Sequence, residues 1–128
     1  MAIVRALVTA LALLEAGWMT FDGTRALVVG DYVTPSTGAH AGELGPWHHV
    51  VEAVGIEPRS TLMKTSFVAY GFAWLMVIVG FVRRLPWAPT AMLVAAVGAL
   101  WYLPVGTVFS IAQIAGLLWI SRAEAMTL

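Results

Sequence analysis

Residues 88–121 read APTAMLVAAVGALWYLPVGTVFSIAQIAGLLWIS, without a single Asp, Glu, Lys or Arg. How this stretch divides decides the fold. A bilayer core about 30 Å thick is crossed by roughly 17–25 apolar helical residues, so the stretch is too long for one span. It is interrupted at Leu103-Pro104-Val105-Gly106. Proline inside a helix removes a hydrogen bond and clashes with the preceding turn. The break therefore predicts helices over 88–102 and 105–121 joined by a tight turn, against the competing reading of one kinked helix.

The rest of the chain has the same solvent. Of its 128 residues 60% are hydrophobic and 11% charged, with a mean hydropathy of +0.85. A soluble domain carries about 25% charged residues, and one this short could not bury so much apolar surface. The chain reads as a single integral membrane domain over 1–128. Two further spans are expected at 3–20 and 61–82, the second reading TLMKTSFVAYGFAWLMVIVGFV. The opening MAIVRALVTALALLEAGW has one early Arg and an apolar run, as a secretory signal does. It continues into Glu-Ala-Gly-Trp-Met instead of a small-residue cleavage site, and so reads as a retained span. Arg5 can snorkel at its start.

Charge orients the spans. With four of them, Arg5, Arg83-Arg84 and Arg122 fall on one side, which the positive-inside rule makes cytoplasmic together with both termini. A three-span chain would put Arg122 opposite Arg83 and Arg84. The expected fold is thus an all-α, four-helix membrane bundle with a structured extracytoplasmic loop over 21–60. Within that loop ALVVGDYV (26–33) has strand-like or interfacial character, and 34–45 is rich in turn residues. PWHHVVEAVGI (46–56) reads as an amphipathic segment with Trp47, Val50, Val51 and Val54 on one side.

Net charge is zero, leaving no basic footprint for nucleic acid. There is no cysteine, which excludes disulfides, thiolate nucleophiles and Cys-ligated metals. Any redox role would fall to a quinone, haem or flavin. Haem ligation is disfavoured because no His lies inside a span, and neither a Ser-His-Asp constellation nor a phosphate-binding Gly-rich loop is present.

Glu15 is the expensive residue. A charge at a helix centre costs about 2.5–3.5 kcal/mol on insertion scales, so such groups face the bundle and find partners. Glu15 lies about 7–8 Å below the outer end of a helix that stops at Thr20, and Lys64 lies at a comparable depth in the second span. The two are expected to pair across that interface, as a structural ion pair or as the polar wall of a pocket. Trp18, Phe67, Tyr70, Trp74 and Trp101 would line such a pocket, with Gln113 and Tyr70 hydrogen-bonding near the midplane. Ordinary packing is the competing reading for these aromatics, and Trp47, Trp87 and Trp119 read as interfacial belt residues. His40, His48 and His49 read as solvated interfacial histidines and no metal is expected; the competing reading is a site in which His48 and Glu52, which share a helix face, are joined by His40 or Asp31 folded back. Gly17, Gly71, Gly80, Gly98 and Gly116 allow close helix contact.

The stretches RALVTALALLEAGWMTFDG and GPWHHVVEAVGIEP, with the Gly-containing second and third spans, resemble the DoxX-like group of small bacterial membrane proteins. The resemblance implies a bacterial inner-membrane protein, in some members tied to quinone-linked sulfur or thiol oxidation; the lack of cysteine speaks against direct thiol chemistry here. The first functional expectation is a non-catalytic subunit, or a binder of an apolar small molecule, within a redox or envelope complex, contacting lipid and protein partners or further copies of itself. The second is a quinone-coupled oxidoreductase in which Glu15 exchanges protons and Trp18 and Tyr70 hold the ring. The third is an oligomeric transporter or channel with Glu15 lining a path between protomers.

Overall fold

The computed structural model describes residues 2–102 and 104–126. Its helices are α1 (Ala2–Val29), α2 (Trp47–Ala53), α3 (Thr61–Val82), α4 (Ala88–Gly98) and α5 (Val105–Met126). No strand occurs among the described residues. Three of the helices, α1, α3 and α5, are long and apolar enough to cross a membrane.

In α1 the buried positions are Val8, Ala12, Glu15, Ala16, Met19, Asp22, Gly23 and Ala26, a stripe recurring every three or four residues. Leu7, Leu14 and Phe21, on the remaining faces, are exposed. A helix in water would carry polar side chains there; one in lipid has no need to. In α3 the hydroxyl of the N-cap Ser60 accepts from Met63 N at 3.1 Å, satisfying one of the helix's orphan donors.

α1 does not stop at Thr20, the expected end of the first span. Its 28 residues span about 42 Å at 1.5 Å each. Asp22 turns inward, and the hydroxyls of Thr20 and Thr24 donate to the carbonyls four residues back, Ala16 O and Thr20 O. The polar residues are thus absorbed without breaking the helix. Termination comes at Gly30, whose φ of +108° allows the left-handed cap that side chains disfavour, its N–H bonding to Ala26 O at 3.0 Å. The strand-like reading of 26–33 is corrected accordingly: its first half is helix.

α4 is shorter than expected, ending at Gly98 instead of 102. Its 11 residues cover only about 16 Å, roughly half of a bilayer core. Tight turns replace the last helical turn: Tyr102 N donates to Ala99 O at 3.0 Å, and the Thr107 hydroxyl donates to Leu100 O at 2.6 Å. This reversal lets α5 start immediately after Pro104.

α1 packs on α3 and α5, and α4 on the same two helices. The α1–α3 contact is close because glycines line it. A Cβ on Gly23 would sit 2.6 Å from Phe67 Cβ, and one on Gly71 would collide with the Thr20 hydroxyl. Gly17, expected among the contact glycines, faces open space. Arg5 does not snorkel outward. Its Nη2 donates to Phe81 O at 2.7 Å, and the guanidinium lies 4.1 Å from the Phe81 ring centroid, capping the negative end of α3. Arg5 therefore sits at the α3 end that carries Arg83 and Arg84. Val4 and Val8 meet Gly116, so α5 runs towards the same end.

The segment between α1 and α3 is tied down throughout. Arg25 Nη1 donates to the carbonyls of Asp31 and Tyr32, both at 2.8 Å, and Tyr32 OH donates to Pro58 O at 2.8 Å. Arg59 Nε ion-pairs with Asp31 Oδ1 at 3.1 Å, and Arg59 Nη2 donates to Gly42 O at 2.9 Å. Tyr32, Trp47, Phe67, Trp101 and Tyr102 meet as an aromatic hub with centroid separations from 4.9 to 6.1 Å. That hub clamps the loop, α2, α3 and the α4–α5 turn at one end of the molecule.

Candidate functional site

Glu15 belongs to the inward stripe of α1, between Ala12 and Ala16, and is almost fully buried. The facing element is α5, where Ser110 and Gln113, three residues apart, project from one face. Ser110 Oγ lies 3.1 Å from each carboxylate oxygen, and Gln113 Nε2 donates to Oε1 at 3.0 Å. Gly106, a turn before Ser110, leaves room for the carboxylate: a Cβ there would be 3.0 Å from Oε2. The carboxylate is thus held by neutral donors. Gln113 Oε1 is buried with no hydrogen-bond partner among the described residues, an unsatisfied atom of the kind that calls for explanation.

Beside Glu15 opens a cavity of about 820 Å³, within the roughly 300–1,000 Å³ typical of small-molecule sites. It lies between the second half of α1, residues 33–49, and the start of α5. Trp18, Trp47, Tyr102 and Phe109 give it aromatic walls, and Glu15 and Asp22 both line it. Asp22 is buried, and its Oδ1 accepts from Val33 N at 2.6 Å. This bond closes the loop over the end of α1. Among the described residues no Lys or Arg lines the cavity; Glu43 adds a third carboxylate, and His40, His48, His49 and the Tyr102 phenol complete its ionisable groups.

The expected Glu15–Lys64 pair does not form. Lys64 Nζ donates instead to Gly30 O at 2.8 Å. The reason is helix length. Lys64 O faces Gly23, eight residues along α1 from Glu15, or about 12 Å at 1.5 Å per residue. Matching depths from a helix end at Thr20 set the two groups level, and the true end at Val29 separates them.

Nor do the expected lining residues gather in one place. Trp18 lines the cavity with Glu15. Phe67 and Trp101 are held in the aromatic hub. Tyr70 OH donates to Ala95 O at 2.6 Å and does not reach Gln113. Trp74 packs edge-on against Tyr70 at 5.9 Å, with its Nε1 buried and unpartnered among the described residues. The sequence reading missed Asp22, Trp47, Tyr102 and Phe109 as lining. For Asp22 the signal was present: seven residues from Glu15, it completes two helical turns on the same face.

His48 Nδ1 lies 2.7 Å from Glu52 Oε1, and the His48 and His49 ring centroids are 3.9 Å apart. Donor atoms of His48, His49 and Glu52 fall within 4.8 Å of one another, a His₂-carboxylate set of the type that zinc and related ions accept. His40 stays apart from it, against Glu43 at 2.9 Å, and Asp31 is engaged by Arg59. In that loop pair, burial alone would raise the Asp31 carboxyl. The Arg59 guanidinium, the Tyr32 amide and the nearby Lys64 charge outweigh it and hold the group below its ordinary range. Burial, with Asp22 and Asp31 nearby, pushes the Tyr32 phenol well above its ordinary value.

The described chain is all-helical, and its apolar helices make it a membrane protein in composition and geometry. Compared with protein-family models, curated proteins and solved structures, it matches none.

Proposed function

We propose that this chain is a four-span bacterial inner-membrane protein, with both termini cytoplasmic, that holds an apolar small molecule in the cavity beside Glu15. The observation that carries this reading is the cavity itself: aromatic walls, a volume suited to a small molecule, and a buried carboxylate at its side. Most such sites combine an apolar lining with a few placed polar groups that orient the ligand. Positive residues gathered at the opposite end of α1, Arg5 with Arg83 and Arg84, support an extracytoplasmic position for the cavity. The α4 helix and the turns that follow it would serve as the fourth span. The resemblance to the DoxX-like group adds the inner-membrane setting and association with a redox or envelope complex.

Of the alternatives, a quinone-coupled role would have to use Trp18, Trp47 and Tyr102 as the ring clamp, since Tyr70 is bonded to α4. A path between protomers would have to form without Glu15 facing it, since that carboxylate is turned into its own chain against α5. Binding in the cavity uses the side chains where they stand.

The test is purification of the full chain in mild detergent, with mass spectrometry of the bound small molecules. Leu14 lines the cavity and is exposed, outside the buried core, so Leu14→Trp can fill the space without overpacking the core. A bound molecule that is present in the parent chain and lost in Leu14→Trp, at unchanged thermal stability, supports the reading. Identical small-molecule content in both, or none in either, overturns it.

A further inference from the structure

The cavity has a sign. Glu15 and Asp22 line it, with Glu43 paired to His40 at its rim, and among the described residues no Lys or Arg does. The basic side chains near this end of the molecule are engaged elsewhere. Arg25 donates to the carbonyls of Asp31 and Tyr32, Arg59 to Asp31 and Gly42 O, and Lys64 to Gly30 O. Among the described residues neither Glu15 nor Asp22 takes part in an ion pair. Two of the three rim histidines lie against carboxylates of their own, His40 against Glu43 and His48 against Glu52. The remaining lining is apolar and aromatic, with Trp18, Trp47, Tyr102 and Phe109 as walls. Aromatic faces attract cations through the ring quadrupole and repel anions, most strongly where water is excluded. Buried acids inside a membrane protein likewise favour a cationic counterpart.

Resting on the cavity as a binding site, we infer that its ligand is an organic cation with an apolar body, of the quaternary ammonium or phosphonium class. The positive centre sits between the Glu15 and Asp22 carboxylates, and the apolar groups rest on the aromatic walls. Gln113 reinforces this by holding Glu15 in place from α5 without neutralising it.

Equilibrium dialysis of the purified full chain in neutral maltoside detergent tests this with three probes of similar shape. Tetraphenylphosphonium is cationic, tetraphenylborate anionic and triphenylphosphine oxide neutral. The phosphonium is expected to bind saturably and at least about tenfold more tightly than the borate, a factor worth ~1.4 kcal/mol. Glu15→Gln keeps the size and hydrogen-bonding capacity of the side chain. It is expected to lower the ratio of phosphonium to phosphine oxide affinity by about tenfold. Should Glu15→Gln fail to bind any probe, Asp22→Asn is read for the same ratio. Borate binding as tightly as phosphonium, or a ratio unmoved in both variants, overturns the charge assignment. If the neutral probe binds and Leu14→Trp displaces it, the cavity reading survives that loss. If none of the three probes binds, both readings fall. Repeating the dialysis with added phosphatidylcholine separates two sources of the same chemistry. Displacement of the probe assigns the site to a quaternary lipid head group, and no displacement to a free organic cation; either result supports the charge assignment.

Discussion

At the scale of single residues, Glu15 is held by two neutral side chains of α5. Leaving a buried polar group without its hydrogen-bond partner costs about 1–3 kcal/mol. Gln113→Leu is therefore expected to lower the thermal midpoint in detergent by that equivalent, whereas Lys64→Met stays within about 0.5 kcal/mol of the parent, as exposed contacts do. A double-mutant cycle sharpens this: Glu15 with Gln113 couples, and Glu15 with Lys64 does not. Coupling between Glu15 and Lys64 equal to that with Gln113 would contradict the geometry. The cost of Glu15 in an apolar span was legible in the sequence, because it depends only on the residue and its solvent. Its partner was not, because that depends on where α1 ends and which way it is rotated against α5.

At the scale of elements, the α1–α3 interface and the loop latch carry separate predictions. Gly71→Ala drives a methyl into Thr20 and is expected to destabilise by about 1–3 kcal/mol, as overpacking does. Gly17→Ala, facing open space, is expected to be neutral or to gain up to about 1 kcal/mol of helix propensity. Thermal unfolding of the two variants side by side checks the contrast. The latch between Asp31 and Arg59 is half-exposed, so it contributes less than about 1 kcal/mol. Its sign is set by linkage. The folded carboxyl titrates below its unfolded value of about 3.9, so its stabilisation is fully present above that value. It is lost as pH falls through the lower, folded one. Hydrogen exchange of residues 30–45 is expected to accelerate over that acidic window in the parent chain, and Asp31→Asn to remove the step. An unaltered acid profile in Asp31→Asn would place the latch elsewhere.

Across the whole molecule, the four-span reading makes a topological prediction that the absence of cysteine makes easy to test. A single Cys at position 38, in the loop between α1 and α3, is expected to react in intact cells with a membrane-impermeant maleimide. One at position 84, beside Arg5 and the end of α3, should react only after permeabilisation. The reverse pattern would invert the orientation, and labelling at both sites would break the four-span reading. The division at Pro104 was legible, since proline acts locally on its own helix. The length of α4 was not: the hydrogen bonds that end it come from Tyr70 on α3 and Thr107 on α5.

What the sequence determined by itself were the quantities that depend on composition and local chemistry. These are an apolar solvent for most of the chain, helices as its only spanning form, breaks at proline and a cluster of basic residues at one end. Tertiary structure alone decided that α1 runs on to Val29, because an inward-facing Asp22 is satisfied by the returning chain at Val33 and no longer ends the helix. It also decided that the cavity beside Glu15 lies under the loop, walled by Trp18, Trp47, Tyr102 and Phe109, instead of at the α1–α3 contact, which Gly23 and Gly71 make close. Burial and partnership are set by which faces meet, and a linear pattern of hydrophobicity does not carry the rotation of one helix about another.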